Sequence, residues 1–430
     1  MAATKGTRHP DHIHTINENR LLKGSFIFGA NASGKSNLVE AMEFAQQLVI
    51  KGVDKVDTSG RHFRLQEGYL ERPGIFQFDF FANETQYSYG FAISYLNQTI
   101  VSEWLAIMGG SSTHYIFNRN HEEDGSVTID SNIINSMSAD RRRFNVYRED
   151  FKDAKNEQLK TTFMLTDIAK RTAVGTGFFK AFDEAYQWLK SLTFIHPNSS
   201  YNAIGEFALS PDLRKELERA LHFFDTGITA IELRNVPLDK MDENYKRYVG
   251  RECAEQRFPC IVRQDKEIYQ IERMDDGQIA VHQLVMNYGC ELELCCSVGE
   301  SEGTIQLLDV LPVLLLQRPR VFIVDEIGRS FHSQLLLTFI KKFYDRTAGR
   351  AVQLIATTHA SLVLDLELLR QDEIWFVERQ QDYTSRLYSL SEFKERFDKN
   401  IEREYLLGHY GAIPLFKEWP LPLDTTEHQA

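Results

Sequence analysis

The first strong pattern along the chain is a short apolar run followed by a helical repeat. Residues 24–28 read GSFIF, which is typical of a buried strand, and residues 36–50 read SNLVEAMEFAQQLVI. Apolar positions in the second segment recur at helical spacing. The shared face consists of Leu38, Met42, Ala45 and Val49. The pattern therefore predicts a strand, a connecting loop and a helix.

Aromatic residues then alternate with other residues in two runs separated by Asn-Glu-Thr. A period of two predicts an antiparallel hairpin with one aromatic face buried, and we interpret that face as core. The alternating positions are Phe76, Phe78, Phe80, Tyr87, Tyr89, Phe91, Ile93 and Tyr95. The segments TIVSEWLAI and THYIFNR continue as strands, and HEEDGS predicts a turn between strands.

The period becomes helical from about residue 138 to 192 and returns to strand signals over residues 230–296. Between these regions, Ser210 and Pro211 predict the start of a short helix. Its apolar face consists of Leu213, Leu217, Leu221 and Phe224. Asp276-Gly277 predicts a turn. The run Arg141-Arg142-Arg143 fits either a solvated helix face or a contact with an anion or partner.

Composition then restricts the class of protein. A chain of 430 residues with 43% hydrophobic residues is long enough for two connected lobes. The net charge of −12 argues against a broad basic surface for nucleic acid. No apolar run reaches the roughly 18 to 20 residues of a membrane span. Because the N-terminal residues also lack the apolar region of a signal peptide, we expect a cytoplasmic protein without a membrane contact.

Two features of the chain predict absences. Residues 1–20 are polar, contain His9, His12 and His14, and show no period, so we expect a mobile lead-in rather than a metal site. The cysteines show neither C-x-x-C pairs nor histidines in register, so we expect no zinc site. They are Cys253, Cys260, Cys290, Cys295 and Cys296.

The loop after the first strand carries the strongest chemical signal. Residues 29–36 read GANASGKS and fit the P-loop pattern G-x-x-x-x-G-K-[ST]. Backbone N–H groups of such a loop and the helix N-terminus surround phosphate, Lys35 would reach the β and γ phosphates, and Ser36 would ligate Mg²⁺. We therefore predict ATP and Mg²⁺ as ligands. The predicted contacts are Gly29, Asn31, Ala32, Ser33, Gly34, Lys35, Ser36 and Asn37.

Two later apolar runs complete the predicted site. Residues 320–328 read RVFIVDEIG, a buried parallel strand ending in adjacent acids. Asp325 would hold Mg²⁺ directly or through water, and Glu326 would polarise the attacking water. Residues 351–359 read AVQLIATTH and predict a further strand that ends near His359. We predict that His359 contacts the γ-phosphate.

The motif order gives a family resemblance. Ser301-Glu302-Gly303-Thr304 precedes the acidic strand, and this order of P-loop, S-x-G signature, acidic strand and histidine resembles the ABC-type ATPases. The segments GANASGKSNL, ESEGTIQLLDVLPVLL, VDEIGRSFHSQLL and TTHASLVLD resemble more narrowly the stand-alone ABC-like ATPases of bacterial phage-defence and restriction-linked loci. Those ATPases are related to the overcoming-lysogenization-defect and SMC ATPases.

The resemblance implies an α/β fold: an ABC-type P-loop head with an antiparallel β-lobe and an inserted helical and β region. We expect the first part of the head at residues 21–135, the insert at 136–290, and the second part with the C-terminal segment at 291–415. It also implies that Ser301, Gly303 and Thr304 of one protomer contact the nucleotide of another. The expected assembly is a homodimer or a higher homo-oligomer.

Related chains usually open with a strand and an N-F-R-S-F-like segment before the P-loop. We identify neither feature in this sequence. Gly328 and Ala360 stand where related chains tend to carry aspartate. The Q-loop glutamine stays unassigned, with Gln66, Gln77 and Gln158 as candidates.

Three functions fit these observations. The resemblance implies antiviral defence, in which ATP hydrolysis controls a separately encoded nuclease or toxin after a phage-derived trigger. A DNA-repair or chromosome-associated ATPase of the SMC type would bind DNA directly, and the acidic net charge argues against it. A nucleotide-gated scaffold would bind ATP without hydrolysing it.

Overall fold

We describe the fold from a computed structural model. The described residues are 1–109, 112–122, 124–132, 139–153, 156–171, 177–197, 210–237, 243, 246–247, 260–264, 267–274, 278–289, 293–295, 301–316 and 319–414. The strands are β1 (Ile13–Ile16), β2 (Asn19–Leu22), β3 (Gly24–Phe28), β4 (Gly74–Ala82), β5 (Thr85–Ser94), β6 (Thr99–Gly109), β7 (Ser112–His121), β8 (Val127–Asp130), β9 (Thr193–Ile195), β10 (Ala230–Asn235), β11 (Cys260–Gln264), β12 (Glu267–Arg273), β13 (Ile279–Asn287), β14 (Glu293–Cys295), β15 (Arg320–Val324), β16 (Val352–Thr357), β17 (Ile374–Arg379) and β18 (Ser385–Ser389). The α-helices are α1 (Lys35–Lys51), α2 (Ala139–Lys152), α3 (Glu157–Thr161), α4 (Met164–Arg171), α5 (Lys180–Ser191), α6 (Pro211–Phe223), α7 (Glu302–Val310), α8 (Pro312–Leu315), α9 (Ser333–Thr347) and α10 (Ile401–Leu406).

A six-stranded sheet forms the centre of the molecule, in the order β18-β17-β3-β16-β15-β9. All neighbouring strands are parallel except β18, which runs antiparallel to β17. Every residue of β3 is buried, as expected for a parallel strand covered on both faces. Because parallel strands end at the same edge, the segments that follow β3, β15 and β16 meet there.

The antiparallel lobe contains β4 to β8 in sequential order. The predicted hairpin is confirmed, with Phe76 opposite Phe91 and Phe80 opposite Tyr87. Its turn residues have positive φ angles, which suit the tight hairpin connection. Helix α1 and helices α2, α4 and α5 share one hydrophobic core with this lobe.

A buried ionic network joins the lobe to α4. The Glu103 carboxylate, which is fully buried, accepts hydrogen bonds from the Tyr89 hydroxyl and from the N–H groups of Met164 and Leu165. Burial raises the pKa of Glu103, against the opposing effect of Arg119. Backbone donors at the start of a helix are suitable partners for a carboxylate. This network fixes the helix onto the sheet.

Within the predicted insert at residues 136–290, the structure places several elements in different cores. Helix α6 and strands β10, β12 and β13 pack in a second core together with α7, α8 and α9. Strand β9 instead joins the central sheet beside β15, and the sequence pattern does not predict this short strand. The limits of the insert stay a prediction. The predicted turn at Asp276-Gly277 lies outside the described residues.

Helix α6 begins at Pro211 as predicted, although the Ser210 side chain makes no capping hydrogen bond. Leu217 and Leu221 are fully buried on its inner face. The predicted α/β fold, a P-loop head with an antiparallel lobe, is confirmed.

Two predictions about the N-terminal residues are wrong. Residues 1–20 are not a mobile lead-in, and strands do precede β3. Residues 13–22 form an antiparallel hairpin of β1 and β2. Upstream of it, the Thr4 N–H and hydroxyl donate to Asp372, and the Arg370 guanidinium donates to the carbonyls of Gly6 and Arg8. Arg370 and Asp372 are buried. The segment is polar because it pairs with buried polar groups far away in sequence.

His12 is part of the same anchor. Its Nδ1 lies 2.8 Å from Glu373 Oε2, and the Tyr344 hydroxyl donates to the other oxygen of Glu373. Burial lowers the pKa of His12 to about 3 and raises that of Glu373 to about 8. Burial therefore disfavours the charged form of both partners of this hydrogen bond.

No helix in the described part of the chain is long and apolar enough to cross a membrane. Among the described residues, no group of three or more histidine, cysteine, aspartate or glutamate side chains is arranged to hold a metal ion. Cys253, Cys290 and Cys296 lie outside the described residues.

Candidate nucleotide-binding site

The residues of the candidate site follow four strands at the carboxyl edge of the central sheet. The P-loop follows β3, and Asp325 and Glu326 follow β15. Thr358 and His359 follow β16, the strand between them. His196 follows β9, on the outer side of β15. Strand order therefore brings together residues that are hundreds of positions apart in sequence.

The P-loop adopts a conformation that depends on its small residues. Ala32 and Gly34 have φ angles of 59° and 105°, in the left-handed region. A Cβ atom at Gly29 would stand 2.6 Å from the carbonyl oxygen of Val377, so only glycine fits there. The Ser385 hydroxyl donates to the Ser33 carbonyl at 2.7 Å and ties the loop to β18.

Exposure of the predicted loop contacts differs along the loop. Asn31, Ala32 and Asn37 are exposed, whereas Gly29 and Ser33 are buried. The Ser33 hydroxyl makes no hydrogen bond with any residue that the structure describes. A buried hydroxyl without a partner is costly, so a ligand acceptor at the loop would satisfy it.

Lys35 is a buried cation at the first position of α1, with 5% of its surface exposed. Its ammonium donates to the carbonyls of Gly29 and Ala30 at 2.7 and 3.0 Å. Burial lowers the pKa of Lys35, while the nearby carboxylates of Glu326 and Asp325 act in the opposite direction. A buried ammonium held by carbonyl dipoles suits an incoming phosphate.

Ser36 and Asp325 line the same cavity, which has a volume of about 750 Å³. Asp325 is buried, and its Oδ1 accepts a hydrogen bond from the Thr357 hydroxyl at 2.6 Å. A hydroxyl and a carboxylate are oxygen ligands of the kind that Mg²⁺ prefers. The residues present therefore fit a magnesium ion bound beside a phosphate.

Glu326 lines this cavity in a strained backbone conformation, with a φ of 53°. Its N–H donates to the Thr357 hydroxyl at 2.8 Å. Its carboxylate lies 3.8 Å from His359 Nε2 and 3.5 Å from an Arg329 nitrogen. Such strain at a cavity is typical of a functional residue.

Burial and the positive charge of Lys35 lower the pKa of His359, while Glu326 and Asp325 raise it. His359 is therefore predominantly neutral near pH 7, and it offers one N–H donor and one nitrogen acceptor.

The structure adds a His196–Glu43 pair that the sequence did not reveal. His196 Nε2 lies 2.8 Å from Glu43 Oε2, and both residues line the cavity with Ser36 and Asp325. The hydrogen bond to Glu43 is the main cause that raises the pKa of His196, and it also lowers the pKa of Glu43. The only sequence signal is a His-Pro step after a three-residue strand.

None of the three glutamines named as Q-loop candidates lines this cavity. Gln66 donates to the Asp382 carbonyl, and Gln77 donates to Asp79 within β4. Gln158 lies in the short helix α3.

The signature residues lie at the start of α7. Ser301 is the N-cap residue, and its hydroxyl accepts the Thr304 N–H at 3.1 Å. A Cβ atom at Gly303 would stand 2.7 Å from the Ser330 carbonyl, which explains the glycine. Ser301, Gly303 and Thr304 are not among the residues that line the cavity with Ser36. The structure thus brings the P-loop, the acidic strand and His359 together at the sheet edge, whereas the three signature residues do not line the cavity.

The two departures from the family pattern have local contacts. Gly328 has a φ of 79°, and a Cβ atom there would stand 2.8 Å from a Leu336 methyl group. Glycine therefore fits this turn better than aspartate would. The Ala360 N–H donates to the Thr358 hydroxyl at 3.2 Å.

Three solved structures align over most of the chain at low identity. An SMC head bound to the C-terminal winged-helix domain of ScpA has 12% identity, covers 88% of this chain and 94% of its own, and gives a TM-score of 0.35. The SMC head from Thermotoga maritima has 13% identity, covers 88% and 95%, and gives 0.32. The SMC head with an extended coiled coil from Pyrococcus furiosus, bound to the C-terminal domain of ScpA, has 13% identity, covers 91% and 94%, and gives 0.32. With these TM-scores, the alignments carry no weight for the function of this chain.

No curated protein matches the sequence. One family model does, described as "AAA domain, putative AbiEii toxin, Type IV TA system", and it matches residues 25–365. The match spans more than half of the chain and includes the P-loop, Asp325, Glu326 and His359. The chain therefore belongs to this family of AAA-domain proteins.

Proposed function

We propose that this protein binds ATP with Mg²⁺, hydrolyses it, and uses the reaction to control a separately encoded effector in bacterial antiphage defence. One observation carries the enzymatic part of the proposal. Five side chains meet at one edge of the sheet, and Glu326 has a strained conformation there at the cavity. They are Lys35, Ser36, Asp325, Glu326 and His359.

Each residue has a distinct role in this reaction. Lys35 and the N–H groups of the P-loop bind the β and γ phosphates. Ser36 and Asp325 would hold Mg²⁺, which neutralises negative charge on the phosphate oxygens. Glu326 orients the attacking water and accepts its proton, and His359 donates a hydrogen bond to the γ-phosphate. Thr357 orients both acids through its hydroxyl.

The proposed active site is shared between protomers of a homodimer or a higher homo-oligomer. Ser301 is exposed at the N-terminus of α7, and it does not line the cavity of its own chain with Ser36. A helix N-terminus attracts anions through its free N–H groups and its dipole. Ser301, Gly303 and Thr304 would therefore contact the γ-phosphate bound to a second copy.

Two observations bear on the choice between a defence function and direct action on DNA. The family description names a putative AbiEii toxin and a type IV toxin–antitoxin system, which connects the family with toxicity rather than with DNA repair. The net charge of −12 disfavours extensive phosphate contacts with DNA. The C-terminal segment exposes Phe393, Phe397, Leu406 and Leu407. We propose that this segment contacts the effector, a nuclease or toxin, and that a phage-derived trigger releases it.

The enzymatic proposal is tested with Lys35→Ala and Glu326→Gln. Lys35→Ala removes ground-state phosphate binding, so calorimetry should detect no ATP binding at concentrations that saturate the wild type. Glu326→Gln should bind ATP normally and lose at least about tenfold in kcat, because Glu326 acts when water attacks. Equal ATP affinity of the wild type and Lys35→Ala would refute the assigned site. Normal binding without turnover in the wild type would indicate a non-hydrolysing scaffold.

The effector proposal is tested by purifying the protein alone and with the product of the adjacent gene. We expect co-purification, and nucleic-acid cleavage or cell toxicity that requires the neighbour and changes in Glu326→Gln. Cleavage or toxicity from the purified chain alone would refute a separate effector. Tight, salt-sensitive DNA binding by the chain alone would favour an SMC-type repair function.

A further inference from the structure

The turn that carries Glu326 is held in a conformation that its residues do not favour. Glu326 and Gly328 both have left-handed φ angles, of 53° and 79°. Within the turn, the Arg329 N–H donates to the Glu326 carbonyl at 3.1 Å. A glutamate persists in this region only where surrounding contacts hold it. The position of the Glu326 carboxylate therefore depends on what neighbouring elements contribute to the turn.

One side chain from outside the turn bridges it. Gln306 Nε2 donates to the Glu326 carbonyl at 3.0 Å, and Gln306 Oε1 accepts the Ser330 N–H at 3.1 Å. The side-chain amide thus uses its donor and its acceptor on the two ends of the same turn. Removing the amide would delete these two hydrogen bonds while leaving the P-loop contacts intact.

Gln306 belongs to α7, the helix that begins with the signature. In the first turn of α7, a Glu302 oxygen accepts a hydrogen bond from the Ser330 hydroxyl at 3.4 Å. Gly303 packs so closely on the Ser330 carbonyl that a Cβ atom has no space. The exposed Ser301 is the N-cap of the same turn. The signature and the turn that bears Glu326 therefore pack as one unit within a protomer.

We propose that Gln306 is a positioning residue that fixes the turn bearing Glu326 of its own protomer, so that each signature helix sets the position of its own general base. This inference rests on the proposed function, in which Ser301 and Gly303 contact the nucleotide of a second copy.

The first test separates positioning from packing. Gln306→Met keeps the length and helix propensity of the side chain but cannot donate a hydrogen bond and accepts only weakly through its sulfur, and Gln306→Ala removes the packing as well. We expect both variants to lower kcat by about tenfold to a hundredfold, since two hydrogen bonds on the turn are lost. The KM for ATP should change by less than about threefold, because Lys35 and Ser36 are untouched. Gln334→Ala, at an exposed position in the first turn of α9, is the matched control and should match the wild type.

A structural role alone predicts a different result. Gln306→Met would then restore kcat relative to Gln306→Ala, or kcat, ATP affinity and thermal midpoint would fall together. Wild-type kcat in Gln306→Met would overturn the proposal.

The second test uses mixed assemblies, isolated by two different affinity tags, to ask on which protomer Gln306 acts. If it acts on its own Glu326, Gln306→Met paired with Ser301→Asp should recover activity, because one site then has an intact base and an intact signature. The pair Gln306→Met with Glu326→Gln should stay inactive, because each site then has a defective base. Aspartate at position 301 preserves the helix cap and repels phosphate. The opposite pattern of recovery would show that Gln306 acts on the partner's site and would overturn the proposal.

Failure of the proposed function gives a distinguishable result. Lys35→Ala paired with Ser301→Asp should recover activity whether or not Gln306 has a role. If that pair stays inactive although mixed assemblies form, the shared site is refuted. The kcat and KM of Gln306→Met still decide whether Gln306 positions Glu326.

Discussion

Replacing Thr357 with valine is the sharpest test of how the two acids are held. Thr357 is fully buried, and its hydroxyl donates to Asp325 Oδ1 at 2.6 Å and accepts the Glu326 N–H at 2.8 Å. Valine has nearly the same shape but no hydroxyl. In Thr357→Val, the Asp325 Oδ1 acceptor and the Glu326 N–H donor therefore both lose their hydrogen bond to the buried Thr357 hydroxyl.

The expected cost follows from these two contacts. An unsatisfied buried polar group costs about 1–3 kcal/mol, and Asp325 keeps some contact with the cavity, so we expect Thr357→Val to lower the free energy of unfolding by about 2–4 kcal/mol. Thr357→Ser keeps the hydroxyl and loses one buried methyl group, so it should cost about 1 kcal/mol. The difference between the two variants isolates the hydroxyl.

The free energy of unfolding is measured by urea denaturation followed by tryptophan fluorescence and by circular dichroism. In the same variants we measure the Mg²⁺ concentration that half-saturates ATP hydrolysis. It should rise in Thr357→Val, because Asp325 is no longer oriented, and stay near the wild-type value in Thr357→Ser. A Thr357→Val protein as stable as Thr357→Ser, with unchanged Mg²⁺ dependence, would refute the role of the hydroxyl.

Three further predictions address other parts of the site. Mixed assemblies of Lys35→Ala and Ser301→Asp should recover part of the wild-type ATPase rate, and additive inactive mixtures would refute sharing. Gly328→Ala should lower the free energy of unfolding by about 1–3 kcal/mol, because alanine is strained at positive φ and its Cβ meets a neighbouring side chain, and an unchanged denaturation midpoint would contradict this. The pKa of His196 is raised and that of Glu43 is lowered in the folded protein. Their pairing therefore stabilises the fold most between about pH 4.3 and 6.5, the usual pKa values of the two groups. The stabilisation is lost when the pH rises through the His196 pKa or falls through the Glu43 pKa. The stability difference between the wild type and Glu43→Gln should follow this pH profile in urea titrations, and a difference independent of pH would exclude the charged pair.

The sequence by itself determined the features whose signal is local. The P-loop is visible because its residues are consecutive, and the aromatic hairpin is visible because side chains alternate between the two faces of a strand. The acids after β15 were identified because a buried parallel strand leaves a continuous apolar run that ends abruptly at Asp325. Fold class and the predicted site residues that meet at the sheet edge follow from these signals.

Only the tertiary structure decided features that depend on strand order and on distant polar partners. The N-terminal residues pair with Arg370 and Asp372, and such hydrogen bonds leave no period in the sequence, so the sequence alone wrongly predicts a mobile lead-in. His196 reaches the cavity only because β9 lies beside β15, which a short strand does not reveal. Gln306 occupies an ordinary helix position until the turn after β15 folds against it. Hydrophobic spacing records which face of an element is buried, whereas the choice of polar partner is made when the elements pack.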